Sequence, residues 1–146
     1  MGHKGVAMPV DPFVHEYRVI YGDTDAANVV YYGNYMRYFE IGRTEYLRAK
    51  GLTYRDMEDE GYILPVVEAY SRYKASAKYD DVILIKTALV ELKAVSCRFH
   101  YRIERKEDQK LLVKGFTVHA VINRQGKLVQ FPAWAHETMV QLVANV

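Results

Sequence analysis

The sequence predicts an α+β fold in which one long helix covers one face of a five-stranded antiparallel sheet. The segment Asn34–Lys50 has the apolar spacing of a long amphipathic helix. Five other segments are rich in β-branched and aromatic residues, and four of them follow one another after the helix. The chain has 146 residues, so we expect one domain over residues 1–146 that is large enough to bury a core.

The predicted elements follow a simple order along the chain. A first strand covers Val14–Tyr21, and a loop over Gly22–Gly33 separates it from the long helix. A short helical turn is expected near Tyr54–Glu60. The remaining elements are four strands and a final helix: Ile63–Lys74, Val82–Lys93, Val95–Arg105, Leu111–Asn123 and Pro132–Val143.

The strand Val95–Arg105 has the clearest pattern. Apolar and polar side chains alternate with period two, so one face of this strand is apolar and the other is polar. Its apolar positions are Val95, Cys97, Phe99, Tyr101 and Ile103. We therefore interpret Cys97 as a small buried hydrophobic residue, and a single cysteine excludes an intramolecular disulfide.

The long helix has an apolar face formed by residues such as Tyr35, Phe39 and Tyr46. Gly42 lies on the same face, where glycine costs about 1 kcal/mol against alanine in a helix interior. We expect it to allow a strand to approach the helix closely. The helix covers one face of the sheet, and the other face also carries apolar residues, so we expect a second copy of the chain to cover it. The predicted assembly is a homodimer or a dimer of dimers, which is a homotetramer.

Composition and charge exclude several classes of function. The net charge of +2 is too small to predict nucleic-acid binding. No apolar segment is long enough for a membrane span, and Met1–Pro12 lacks the apolar core of a signal peptide, so we expect a cytoplasmic protein. No cluster of ligands has a metal-binding spacing. The five histidines, His3, His15, His100, His119 and His136, lie in strands or near the termini without a nucleophile at a characteristic spacing.

The most informative segment is the loop before the long helix. Two acids, Asp23 and Asp25, lie there among small residues. A helix N-terminus offers unpaired backbone N–H groups and the positive end of the helix dipole, and a carboxylate beside it can act as a base or a nucleophile. An isolated acid at such a position is more often a cap or turn residue. We expect Asp23 to have that structural role, bonding backbone N–H groups of the turn.

The segment Tyr21–Tyr35 resembles the N-terminal motif of hotdog-fold acyl-CoA thioesterases of the 4-hydroxybenzoyl-CoA thioesterase type. The motif comprises an acidic pair, small residues, two β-branched residues, an aromatic pair and the start of the helix: Asp23-x-Asp25, Ala26-Ala27-Asn28, Val29-Val30, Tyr31-Tyr32 and Gly33-Asn34-Tyr35. Ala77–Asp81 and Ser96–Glu104 are also similar to the family, so the resemblance covers nearly the whole domain. It implies a curved sheet wrapped around a central helix.

The resemblance also implies a mechanism. The second acid of the pair is catalytic in this family, which corresponds to Asp25, and the backbone N–H of Tyr32 is similar to the donor that polarises the thioester carbonyl. Asp25 could attack the carbonyl to give a mixed anhydride or could activate a water, and the sequence leaves both routes open. Many members of the family have glycine where this chain has Asn28. Because asparagine tolerates a left-handed backbone, we expect the turn to survive.

Three more residues are candidates for substrate binding. Asn34 is either the helix N-cap or a group that orients a substrate amide or a water. Tyr31 and Tyr35 are either packing residues or part of an aromatic wall around the acyl group, and Tyr38 and Phe39 lie near them. Five basic residues are candidate partners of the coenzyme A phosphates: Lys78, Lys93, Arg98, Arg102 and Lys114.

The expected function is hydrolysis of an acyl-CoA or acyl carrier protein thioester to an acid and a thiol, with no metal or redox cofactor. One alternative is an acyl-thioester dehydratase on the same fold, although that chemistry typically needs a histidine with an acid, and the loop before the helix has no histidine. The other alternative is a non-catalytic acyl-CoA-binding module, in which Asp25→Asn would leave the function intact. Because a fold alone does not define a function, the interpretation depends on the loop.

Overall fold

The computed structural model describes residues 5–146 and confirms the predicted α+β architecture. One antiparallel sheet has the strand order β1-β3-β4-β5-β2. Its strands are β1 (Phe13–Arg18), β2 (Val66–Tyr73), β3 (Val82–Leu92), β4 (Ser96–Arg105) and β5 (Leu111–Ala120). The helices are α1 (Asn34–Ala49), α2 (Tyr54–Asp59) and α3 (Ala133–Val140). Helix α1 packs against β1, β3 and β4, so the long helix and the sheet share one core.

Three strands are shorter than the sequence predicts by two residues or more: β1, β2 and β5, of which β5 ends at Ala120 instead of Asn123. Strand β1 ends at Arg18, and Tyr21–Asp23 forms a 3₁₀ turn in which the Asp23 carboxylate accepts the Ile20 N–H at 3.3 Å. Strand β2 begins at Val66 instead of Ile63, because Pro65 has no N–H to donate to the sheet. Ile63 instead forms an isolated bridge with Ile122, beyond the end of β5.

The alternation predicted for β4 is confirmed. Cys97, Phe99, Tyr101 and Ile103 are each at most 1% exposed, and Phe39 of α1 stacks on Tyr101 with ring centroids 4.2 Å apart. Burial raises the pKa of the Cys97 thiol to about 12, which keeps it protonated. The interpretation of Cys97 as a buried hydrophobic residue is therefore confirmed.

The outer face of the sheet is partly covered by the chain itself. His100, on the polar side of β4, is only 5% exposed because the N-terminal segment crosses it. The Arg98 Nε–H donates to His100 Nε2 at 3.1 Å, so His100 Nδ1 carries the proton that it donates to the Ala7 carbonyl at 2.7 Å. Some of the surface that we expected a second copy to cover is thus occupied within one chain.

Gly42 allows α1 to approach β3, as predicted. A Cβ atom built at this position would lie 2.7 Å from Cγ2 of Ile85 and would also meet the Thr87 hydroxyl. Both contacts come from inward-facing side chains of β3, so the helix lies against the strand with no room for a methyl group.

We expect Gly42→Ala to lower the free energy of unfolding by roughly 1–2 kcal/mol, because overpacking a well-filled core typically costs 1–3 kcal/mol. The helix propensity of alanine acts in the opposite direction, by about 1 kcal/mol. Urea denaturation of the two proteins measures the difference. A variant more stable than the wild type would show that helix propensity outweighs the close approach.

Candidate functional site

The loop before α1 folds into a small hairpin that carries the acidic pair. Thr24 pairs with Val30, and the Asp25 N–H donates to the Val29 carbonyl at 2.9 Å. The Asn28 N–H closes the turn on the Asp25 carbonyl at 2.9 Å, and Asn28 has a left-handed φ of 64°. The turn therefore survives with asparagine at this position, as the sequence predicted.

Asp25 lies at the exposed tip of this hairpin. Its Oδ1 accepts the N–H of Ala27 at 2.9 Å, which fixes the orientation of the carboxyl group relative to the turn. The second oxygen has no hydrogen-bond donor among residues 5–146. A carboxylate held in this way has an oxygen available for a substrate carbonyl or a water.

The Tyr32 amide lies where the chain enters α1. The Asn34 N–H donates to the Tyr31 carbonyl at 2.9 Å, so Tyr31–Asn34 forms a tight turn with Tyr32 at its second position. Within the described chain, the Tyr32 N–H has no acceptor. The partial positive charge of the helix N-terminus lies beside it, which favours an oxygen that carries negative charge.

Asp23 is buried beside this loop and is only 1% exposed. Its Oδ2 accepts the hydroxyls of Tyr17 at 2.8 Å and Tyr38 at 3.0 Å, and its Oδ1 accepts Nη1 of Arg37 at 3.2 Å. The structural role predicted for Asp23 is confirmed, but its donors differ from those predicted. Besides the Ile20 N–H, they are side chains of β1 and α1, because the carboxyl group points into the core and not along the turn.

Asn34 is the first residue of α1, and its side chain does not cap the helix. Gly33 precedes the helix, so the N-cap interpretation of Asn34 is wrong. Instead, the Asn34 amide donates to the Asp23 carbonyl at 2.9 Å, and Arg37 lies 3.5 Å from its Oδ1. The polar groups of this side chain therefore bind the loop in this structure.

Of the predicted aromatic residues, Tyr31 is exposed, whereas Tyr35, Tyr38 and Phe39 are buried. Tyr31 and Tyr32 are 46% and 61% exposed, with ring centroids 4.7 Å apart. Tyr35 is only 2% exposed, and its hydroxyl accepts the Ala77 N–H at 3.0 Å. The ring of Tyr73 in β2 contacts both an exposed and a buried tyrosine: its centroid lies 5.9 Å from that of Tyr32 and 5.7 Å from that of Tyr35. Sequence reasoning missed Tyr73, because nothing in the local pattern of β2 indicates which loop it meets.

The five basic candidates are spread over the molecule. Lys78 is exposed and pairs through its backbone with Val29 of the loop. Lys93 follows β3, Arg98 and Arg102 lie on β4, and Lys114 lies on β5. Lys78 is therefore the one of these five whose backbone pairs with the loop in the described chain.

The described histidines lie outside the loop, and His3 falls outside the described residues. His119 of β5 is fully buried, where its Nε2 bonds the Thr117 hydroxyl at 2.8 Å and its Nδ1 bonds the Leu64 carbonyl at 3.2 Å. Burial, and then the charge of Arg43, lowers the pKa of His119 to about 4. Over residues 5–146, no group of three or more His, Cys, Asp or Glu side chains is arranged to hold a metal ion.

The buried His119 predicts an acid-sensitive fold. The unfolded chain binds a proton at this residue near pH 6.5, whereas the folded chain does so only near pH 4. Between these two pH values the unfolded state binds more protons than the folded state. The free energy of unfolding should therefore fall by about 3 kcal/mol as the pH drops through this range. Urea denaturation of wild type and His119→Gln across this pH range measures the effect. The free energy of unfolding of His119→Gln should fall less than that of the wild type. The partly exposed His136, as His136→Gln, is the control. Equal losses in wild type and His119→Gln would contradict this assignment.

The five-stranded antiparallel sheet with α1 packed against it is the hotdog fold of thioesterases. A family model described as the thioesterase-like superfamily matches residues 19–139, so the chain belongs to this family of thioester hydrolases. A relative from Haemophilus influenzae, named acyl-CoA thioesterase YbgC, is 36% identical over 118 residues, which cover 79% of this chain and 85% of the relative.

Solved structures agree with this assignment. The crystal structure of DHNA-CoA thioesterase from Staphylococcus aureus has a TM-score of 0.82 at 31% identity, covering 88% of this chain and 88% of that chain. That of a hypothetical protein from Thermus thermophilus has a TM-score of 0.83 at 32% identity, covering 88% and 98% of the two chains. None of the helices in the described part of the chain is both long and apolar enough to cross a membrane.

Proposed function

We propose that this protein hydrolyses an acyl-CoA thioester to a carboxylic acid and free coenzyme A, with Asp25 and the Tyr32 amide acting on the thioester carbonyl. One observation carries the proposal. Within residues 5–146, an N–H without an acceptor lies at the entry to α1, on the same folded loop that exposes the Asp25 carboxylate. The acyl-CoA thioesterase name of the Haemophilus influenzae relative supports coenzyme A as the carrier.

The chemistry follows from the charge that develops on the substrate. When an oxygen attacks the thioester carbon, negative charge builds on the carbonyl oxygen, and a fixed N–H at a helix N-terminus stabilises it without reorganisation. The C–S bond then breaks, and coenzyme A leaves as a thiolate. A thiol with a pKa of about 8.5 is a good leaving group, so a dedicated general acid is less necessary than for an amide. The attacking oxygen comes from Asp25, giving a mixed anhydride, or from a water that Asp25 deprotonates.

The aromatic residues have separate roles in this proposal. The exposed rings of Tyr31 and Tyr32 form a wall beside the Tyr32 amide, where an acyl group can bind. Tyr35 supports the wall from the core, and Asn34 holds the loop through the Asp23 carbonyl. Lys78 is the proposed partner of a coenzyme A phosphate, because its backbone pairs with the loop.

The proposed assembly remains a homodimer or a dimer of dimers in the cytoplasm. Strand β2 lies at the edge of the sheet with Val66, Val67 and Tyr73 exposed by 46%, 59% and 46%. An apolar edge strand with unpaired backbone groups favours pairing with another strand. Because Tyr73 lies on this edge and its ring contacts Tyr32 of the aromatic wall, we propose that the second copy pairs along β2, next to the site. Sedimentation of the purified protein tests this assembly.

Thiol release from a panel of short, long and aromatic acyl-CoAs tests the proposed function. Turnover of at least one of them is expected, and the preferred acyl group identifies the substrate class. No release from the whole panel would overturn coenzyme A as the carrier and direct the same assay to acyl carrier protein thioesters. Binding of acyl-CoA, without release of coenzyme A or of the carrier-protein thiol, would establish a binding module instead.

A further inference from the structure

The main chain of Asp23 connects the two sides of the loop that carries the Asp25 carboxylate and the Tyr32 amide. Its carbonyl oxygen accepts the N–H of Tyr31 at 2.9 Å and the side-chain amide of Asn34 at 2.9 Å. Tyr31 directly precedes the Tyr32 amide, and Asn34 begins α1. On the other side, Asp23 is two residues before Asp25. The spacing of the carboxylate and the amide therefore depends on where Asp23 is held.

The Asp23 side chain is held from three directions. Tyr17 belongs to β1, Tyr38 and Arg37 belong to α1, and the Ile20 N–H belongs to the connection between them. Burial alone raises the pKa of the Asp23 carboxyl, but the hydrogen bonds from Tyr17, Tyr38, Ile20 and Arg37 together lower it below its ordinary value. The carboxylate remains charged, and each hydroxyl remains a donor. Burial, and then Asp23 itself, raises the pKa of Tyr17 to about 12.

We propose that Asp23 is a positioning residue, and that the Tyr17 and Tyr38 hydroxyls fix it so that the Tyr32 amide and the Asp25 carboxylate meet the same thioester. The inference rests on the proposed function, because it assigns Asp23 a role in the same reaction without contact with the substrate. A displacement of about 1 Å in a reacting group can cost 10²-fold in rate. Loss of one anchoring hydroxyl should therefore reduce kcat more than it changes substrate binding.

Tyr17→Phe and Tyr38→Phe test the proposal, because each removes one hydroxyl and keeps the ring. We expect each variant to lower kcat about 10-fold, and the double variant about 10²-fold, with KM within about two-fold of wild type. Steady-state thiol release is measured well below the melting temperature of each variant. Arg37→Gln is a further test, because it removes the 3.2 Å ion pair between Arg37 and Asp23. The Arg37 side chain is 58% exposed, so this change is made at the surface, and it should also lower kcat.

Tyr46→Phe is the matched control for a merely structural effect. Tyr46 is also a buried tyrosine of α1, and its hydroxyl donates to the Leu142 carbonyl at 3.5 Å, away from the loop. We expect this variant to lose some thermal stability and to keep the wild-type kcat. An equal fall in kcat for Tyr46→Phe and Tyr38→Phe would overturn the positioning role.

The outcomes separate this inference from the proposed function. If Asp25→Asn is inactive and the Tyr17, Tyr38 and Arg37 variants keep the wild-type kcat, the proposed function stands and the positioning role of Asp23 is wrong. If Asp25→Asn keeps the wild-type rate, the proposed function is wrong, and the inference fails with it. A fall in kcat at constant KM, in variants that remain folded, supports both.

Discussion

Replacing Asp25 with asparagine is expected to reduce thiol release by about 10³-fold or more, with the fold intact. Asparagine has neither a negative charge nor a basic oxygen, so it can neither attack the thioester nor deprotonate a water. Its side-chain oxygen can still accept the Ala27 N–H that Asp25 accepts at 2.9 Å. The hairpin should therefore persist, and the loss should appear in kcat.

A matched control separates the loss of the base from the loss of a charge. Asp59 is an exposed aspartate at the end of α2, and Asp59→Asn makes the same chemical change outside the loop. This control should keep the wild-type rate and melting temperature. Comparable rates of thiol release for Asp25→Asn and wild type would show that Asp25 is a turn residue without a catalytic role.

Labelled water can distinguish the two routes that involve Asp25. If Asp25 attacks the thioester carbon, a mixed anhydride forms, and water that attacks the Asp25 carbonyl leaves its oxygen in the protein. If Asp25 activates water, the labelled oxygen enters the released acid alone. Mass spectrometry of the Asp25 peptide after turnover in oxygen-18 water therefore identifies the anhydride route when the peptide carries the label.

The sequence predicts the fold well because local patterns determine most of it. Alternation in β4 and the helical spacing of Tyr35, Phe39 and Tyr46 each identify the face that the structure buries. Gly42 is also predicted, because a glycine in a helix interior implies a close contact. The early end of β1 is missed, because it depends on the Asp23 carboxylate, which bonds Tyr17 of β1 and also Tyr38 of the distant helix α1.

The candidate site is predicted in part for the same reason. Asp25, the turn at Asn28 and the entry to α1 belong to one contiguous loop, so a motif can identify them. The environment of that loop is assembled by tertiary contacts. Tyr73 comes from β2, and Tyr17 bonds Asp23 from β1, yet neither position differs in the sequence from an ordinary strand tyrosine. Tyr35 has the spacing of a site residue, but the fold directs its ring into the core.

Removing the Tyr32 N–H is expected to lower kcat by about 10²- to 10³-fold, the usual cost of losing one oxyanion donor. Tyr32→Pro removes this N–H, and proline suits the position. Tyr32 is the second residue of the Tyr31–Asn34 turn, where proline is favoured, and Gly33 follows with φ −62° and ψ −23°. Because no residue among 5–146 accepts this N–H, the substitution breaks no hydrogen bond within that part of the chain.

The side chain of Tyr32 requires its own control, because proline also removes the exposed ring. Tyr32→Ala removes the ring and keeps the N–H, so we expect a raised KM for acyl groups that contact the wall and a kcat within about three-fold of wild type. The two variants therefore separate the amide from the ring. Equal losses of kcat in Tyr32→Pro and Tyr32→Ala would assign the effect to the ring and contradict the oxyanion role. A large loss in Tyr32→Pro alone would mean that the entry to α1 supplies the donor, since this variant differs from Tyr32→Ala mainly in that N–H.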